Sequence, residues 1–209
     1  MAKRIFLALL VLTLAAGGAF AQVSAGVGGN FAVSWDSIKF TGGGSTAEYL
    51  ITTSGGGFYA FFDATYLEVD VGMLFGSQKI KLPIYGVSIE GDGPNVSYLT
   101  LGLYGKYPID LGGFTLFPML GIQFDIGLSA ERNGVKAEPQ DLADMANRFW
   151  VKFGVGADLN LSEQLYLRPS FLYGVNFGTK VNNDTVKDDA NTTGFYHGLD
   201  IRVALGFRF

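Results

Sequence analysis

Nine ionisable residues fall at spacings that turn them to one side of extended chain. Glu68 and Asp70 stand two apart, as do Asp200 and Arg202. Lys106, Asp125, Lys152, Asp158 and Arg168 each take the polar parity of an alternating segment. Successive side chains of a strand point to opposite faces, so residues i and i+2 share one. Five acids and four bases enclosed on such a face must pair, because stranding one buried partner costs about 3–5 kcal/mol. Their other use is a route for protons or ions, which charges held at depth often mark. The near balance of signs favours pairing. Strand positions set Glu68 and Asp70 against Lys106, Asp158 against Arg168, and Asp125 beside Gln123 against Lys152, with Asp200 and Arg202 close by.

Little else in the chain is equipped for chemistry. His197 is the single histidine. Its same-face neighbours are Phe195 and Leu199, and no serine stands two residues away, so nucleophile, base and orienter do not assemble around it. An amphipathic ring at an interface is the plainer role. Without cysteine there is neither a disulfide framework nor a thiolate metal site. The acids Asp184, Asp188 and Asp189 lack the spacing of a calcium loop. The glycines near Gly26, Gly28 and Gly29 lack the spacing and following helix of a phosphate cradle. Three Asn-X-Ser/Thr matches, at Asn95, Asn183 and Asn191, are weak signals of glycosylation. No cofactor or metal is expected. A net charge of −4 gives a nucleic acid no basic footprint.

The elements that position the ionic set are alternating segments. The clearest occupies 195–209: Phe195, His197, Leu199, Ile201, Val203, Leu205, Phe207 and Phe209 take one face, while Gly198, Asp200, Arg202, Ala204, Gly206 and Arg208 lie on the other. Further segments fall at 23–35, 57–63, 67–75, 97–107, 114–128, 149–159 and 165–178, eight in all. Long connections at 36–56, 77–96, 130–148 and 179–194 alternate with short turns. Pro139, early acids, and Leu142, Met145, Ala146 and Phe149 on one face predict a short helix in the third long connection.

Alternation does not say which face is outside. A soluble barrel would put the apolar set inside. Here the polar face is rich in Gly, Ser, Thr and Asn and poor in Lys and Glu, which suits a crowded interior. Aromatics gather at segment ends: Trp35, Phe75, Phe149, Phe177 and Phe195 at one, Tyr107, Phe114, Phe207 and Phe209 at the other. Two such belts suit a membrane interface. Charged residues make up only 16% of the chain. Apart from the N-terminus, no apolar run nears a membrane helix, so a spanning structure must be a closed barrel. Residues 1–21 have the form of a signal peptide: Lys3 and Arg4, an apolar core from 5 to 16, and Ala19 and Ala21 before the cut. Its core rises only about 18 Å, too short to span. Pro118 and Pro169 fall mid-strand, where bulges or ladder gaps are expected.

The C-terminal run ending in Phe207 and Phe209 resembles the insertion signal of outer-membrane β-barrel proteins, with Ala204 where that pattern favours Gly. Over 22–209 the chain resembles the small eight-stranded outer-membrane proteins of the OmpX, OmpA-barrel and OmpW type. The resemblance rests on strand count, loop asymmetry and terminal aromatic. It implies an all-β, eight-stranded antiparallel up-and-down transmembrane barrel in the outer membrane of a Gram-negative-type bacterium. It also implies contact with outer-membrane lipid and recognition of the last strand by the barrel-assembly machinery. The function expected is non-enzymatic: four surface loops, including 79–89, contact a host surface or ligand or serve the membrane structurally, over an interior plugged by charge. The alternative is OmpW-like passage of small hydrophobic molecules, through an apolar pocket from Leu142, Met145 and Phe117. A lipid-modifying enzyme using His197 comes third.

Overall fold

The structure is a computed structural model that describes residues 23–42, 45–84, 87–137, 147–176 and 191–209. For 40–42, 45–47, 83–84, 87 and 191–195 the description covers backbone alone. The expected signal peptide, the helix at 139–146 and Phe177 lie outside these residues.

Ten strands follow in order: β1 (Val23–Gly42), β2 (Ser45–Ala64), β3 (Leu67–Ile84), β4 (Val87–Lys106), β5 (Ile109–Asp110), β6 (Phe114–Arg132), β7 (Val135–Lys136), β8 (Arg148–Asn160), β9 (Leu165–Asn176) and β10 (Asn191–Arg208). Eight are long and form a ring. Each pairs antiparallel with the next long strand, and β10 returns to β1 from Ser24↔Arg208 to Thr41↔Asn191. The two-residue strands β5 and β7 pair with β6 alone. Closure leaves no long edge unpaired, which is what lets a sheet sit in lipid.

The apolar parity faces outward. Val27, Phe31, Phe58, Val71, Leu120, Phe153 and Ile201 are all exposed, while the large alternate residues Tyr59, Asp70, Met119, Lys152 and Arg202 are buried. From Ala25 to Trp35 a strand tilted about 40° rises roughly 25 Å, the height of an outer-membrane apolar band. Aromatic contacts mark both ends of that band. At the loop end Trp35, His197, Tyr173 and Phe153 form a row across β1, β10, β9 and β8, with centroids 5.3, 5.9 and 5.3 Å apart. At the turn end Tyr66 meets Tyr107 and Phe207 meets Phe209.

Over their described residues, two expected long connections are strand instead. The β1–β2 ladder runs without a shift from Val23↔Ala64 to Gly42↔Ser45, and β3 and β4 pair out to Ile84↔Val87. Beyond the bilayer both faces meet water, so the alternation fades while the backbone ladder continues. The third connection begins with a tight hairpin: Asn133 and Gly134, at φ of 53° and 80°, join β6 to β7. That is the type I′ chemistry of Asn-Gly.

Neither proline shifts the register. Pro118 stays opposite Val155, and the β4–β6 pairing stops one residue before it, at Lys106↔Met119. Its missing N–H therefore costs no interior rung on the β4 side. Opposite Pro169 the β8–β9 ladder skips from Gly156↔Ser170 to Leu159↔Leu167, a gap in unchanged register. The register shifts lie elsewhere, between Ser77 and Lys79 and between Ser97 and Tyr98.

Candidate functional site

The enclosed face is where the chain concentrates its charge. All nine residues of the ionic set are less than a tenth exposed. They lie in tiers up the lumen.

The tier nearest the turns is built on Arg168 of β9. Its Nε and Nη2 donate to the two oxygens of Asp158 at 2.6 and 2.9 Å, a bidentate fork. Nη1 reaches Glu68 at 2.5 Å and Nη2 reaches Asp63 at 2.5 Å. The guanidinium lies 4.6 to 5.0 Å from the rings of Phe61, Phe117 and Tyr166. Lys106 is ion-paired with Asp63, not with Glu68 or Asp70, and stands 4.5 Å over Phe117. Arg208 stands 3.9 Å from Asp158.

The middle tier is built on Arg202 of β10. It donates from Nε to Asp200 at 2.8 Å, from Nη1 to Asp70 at 2.5 Å, and from Nη2 to Gln123 at 2.8 Å and the Tyr104 hydroxyl at 3.1 Å. Lys152 donates to Asp200 and Gln123 at 2.9 and 2.8 Å. Asp200 also accepts from Asn30.

Nearest the loops, Asp125 accepts from Gln123 at 2.6 Å and from the Trp150 indole at 2.7 Å. Lys152 thus meets Asp200 rather than Asp125. Arg148 stands 3.5 Å from Asp36 and donates to Ser34 at 3.3 Å. Asp63, Asp36, Arg148 and Arg208 are the charged members that the reading of the sequence left out of the ionic set. Parity places Asp63 with Tyr59 and Phe61, and Asp36 with Ser34. Turn composition at 63–65 and Gly/Ser content at 36–56 hid both.

These contacts tie walls together across the lumen. Arg168 joins β9 to β2, β3 and β8, and Arg202 joins β10 to β3, β4 and β6. A cavity of about 40 Å³ remains above them, lined by Asn30, Ser34, Thr53, Tyr98, Asp125 and Trp150 among others. That holds a few waters. Phe117 cannot line a pocket at the loop end, because it is buried at the turn end between Lys106 and Arg168. Leu142 and Met145 lie outside the described residues. His197 stacks outward between Trp35 and Tyr173, away from the lumen. Among the described residues, no group of three or more acids and histidines could hold a metal ion.

A family model described as "Outer membrane protein beta-barrel domain" matches residues 6–209. No curated protein matches the chain. Among solved structures, the outer membrane protein OprG from Pseudomonas aeruginosa is similar in fold. It is 13% identical, with 90% of this chain and 96% of that one covered and a TM-score of 0.53. AlkL, solved in lipid bilayers, is 14% identical over 90% of each chain with a TM-score of 0.46. Neisserial surface protein A is 8% identical over 87% of this chain and 97% of its own, with a TM-score of 0.45.

Proposed function

We propose, from the premise that the chain belongs to the outer membrane protein β-barrel family and resides in the outer membrane, that it is a sealed, non-enzymatic barrel working at its outer rim. The observation that carries this is the pair of guanidinium hubs, Arg168 and Arg202, each bonded to several strands across the lumen. Guanidinium groups bonded in this way from wall to wall close a passage. Eight strands leave room only for side chains, and here ionic and aromatic side chains fill it. Among the described residues, the β1–β2 and β3–β4 ladders continue past the aromatic belt. Such ladders present a firm surface for contact with a host surface or ligand.

Passage of small hydrophobic molecules would need an apolar chamber under the loops. The cavity among the described residues is small and edged by Asp125, Arg148 and Lys152. The test is conductance. Detergent-folded protein in a planar bilayer is expected to give no large, regular steps. Regular openings of the wild-type protein would overturn the sealed reading.

A further inference from the structure

Two hollows lie one above the other on the outward face, the lower across β1 to β4 and the upper across β2, β3, β4 and β6. The lower, about 550 Å³, is framed by Val27, Phe58, Ala60, Val71, Met73 and Leu99. The upper, about 540 Å³, is lined by Ser54, Phe75, Ser77, Asn95, Ser97 and Ser129, with Glu131 beside them. The Phe58 and Phe75 rings, 6.2 Å apart, mark the step between them. The β3–β4 register breaks just above, between Ser77 and Lys79.

The outward residues of β3 change chemistry in order. Val71, Met73 and Phe75 are apolar, Ser77 is a hydroxyl, and Lys79 and Lys81 are cations. The two lysines share one carboxylate, Glu90, at 3.9 and 3.3 Å, and Asp92 stands across the ladder from Lys79. On β1 the contrast is plain. Lys39 is 3.6 Å from Glu48, whose carboxyl accepts from the Ser37 hydroxyl at 2.6 Å. That hydrogen bond, with Lys39 adding, holds Glu48 below the usual carboxylate range.

We propose that this trough seats one lipid of the outer leaflet whose headgroup is a phosphorylated sugar. An acyl chain fills the lower hollow, inside the apolar band. The sugar lies against the Phe75 ring and hydrogen-bonds the serines and Asn95. A phosphate takes the lysine pair in exchange for Glu90. The order apolar, hydroxyl, cationic matches an amphiphile held upright by the membrane. A second copy of the chain would want apolar surface to continue where Ser77, Lys79 and Lys81 begin. Lysines just above a bilayer surface attract anionic headgroups, and their stems lie along apolar surface. The inference rests on the outer-membrane location and stands apart from the sealed lumen.

Native mass spectrometry of the detergent-folded protein tests it, with lipid A as probe and its dephosphorylated form for comparison. One molecule of lipid A is expected to be retained. The double variant Lys79→Gln with Lys81→Gln is expected to lower retention about tenfold, as is removal of the phosphates. Lys39→Gln should retain as wild type, and so should Lys79→Arg with Lys81→Arg. Folding of each variant is checked by gel mobility with and without boiling. Equal retention by the glutamine pair, an equal loss with Lys39→Gln, or a protein dimer carrying no lipid would overturn the proposal.

Discussion

Arg168 donates to carboxylates from three other strands, β2, β3 and β8, while aromatic rings flank its guanidinium. Arg168→Met would leave Asp63, Glu68 and Asp158 buried around an apolar side chain. The expected loss is about 3–5 kcal/mol of unfolding free energy, read from urea unfolding in lipid vesicles. Adding Glu68→Gln should restore part of it, because one fewer charge is then stranded. Lys39→Met, on the exposed hairpin, should stay within about 0.5 kcal/mol of wild type. A loss of under about 1 kcal/mol for Arg168→Met would show that water reaches these acids freely. Parity alone turned Glu68, Asp158 and Arg168 to one face. It did not reveal that Lys106 meets Asp63. Partner choice depends on how far a long side chain reaches across a tilted barrel, and spacing along one strand carries no record of that.

Glycine misled the reading of the elements. Gly55 and Gly56 sit where a loop was expected, yet they belong to β2, in step with β1 and β3. Close approach of neighbouring backbone gives glycine a place inside strands as well as in turns. Gly154 of β8 is the sharpest case. A Cβ there would lie 1.9 Å from the Phe171 carbonyl oxygen and 2.8 Å from the Leu172 Cα, both backbone atoms. Gly154→Ala must therefore push β8 from β9, at a cost of about 1–3 kcal/mol. At Gly91, in the projecting β3–β4 hairpin, an added Cβ meets nothing within 4 Å. Gly91→Ala should be neutral. The temperature at which the folded gel band converts to the unfolded one should fall for Gly154→Ala and hold for Gly91→Ala. Equal midpoints would mean that the β8–β9 ladder is looser than drawn. The Asn133-Gly134 hairpin is legible in the sequence as a turn dipeptide, although it sits inside a long polar stretch. The strand extensions are not, because a ladder with water on both sides has no hydrophobic period.

For the whole molecule, one choice governs location and role: which parity faces lipid. Alternation is symmetric in that respect. The asymmetry came from the sparse Lys and Glu of the polar face and from aromatics gathered at segment ends. The two tryptophans report on the two sides separately. Trp35 points outward in the aromatic row, 5.3 Å from His197. Trp150 is 4% exposed in the lumen, and its indole donates to Asp125. In bilayers of lipids brominated high on the acyl chain, Trp150→Phe leaves Trp35 as sole emitter, and its fluorescence should be strongly quenched. Trp35→Phe leaves Trp150, which the protein wall shields from the bromines, and quenching should be slight. Trp150→Phe removes a buried hydrogen bond and is expected to cost about 1–3 kcal/mol, which lowers stability without changing which way the strands face. The reverse pattern, with Trp150 quenched and Trp35 spared, would turn the barrel inside out. The ionic tiers would then face hydrocarbon, where unsolvated charge is least tolerable.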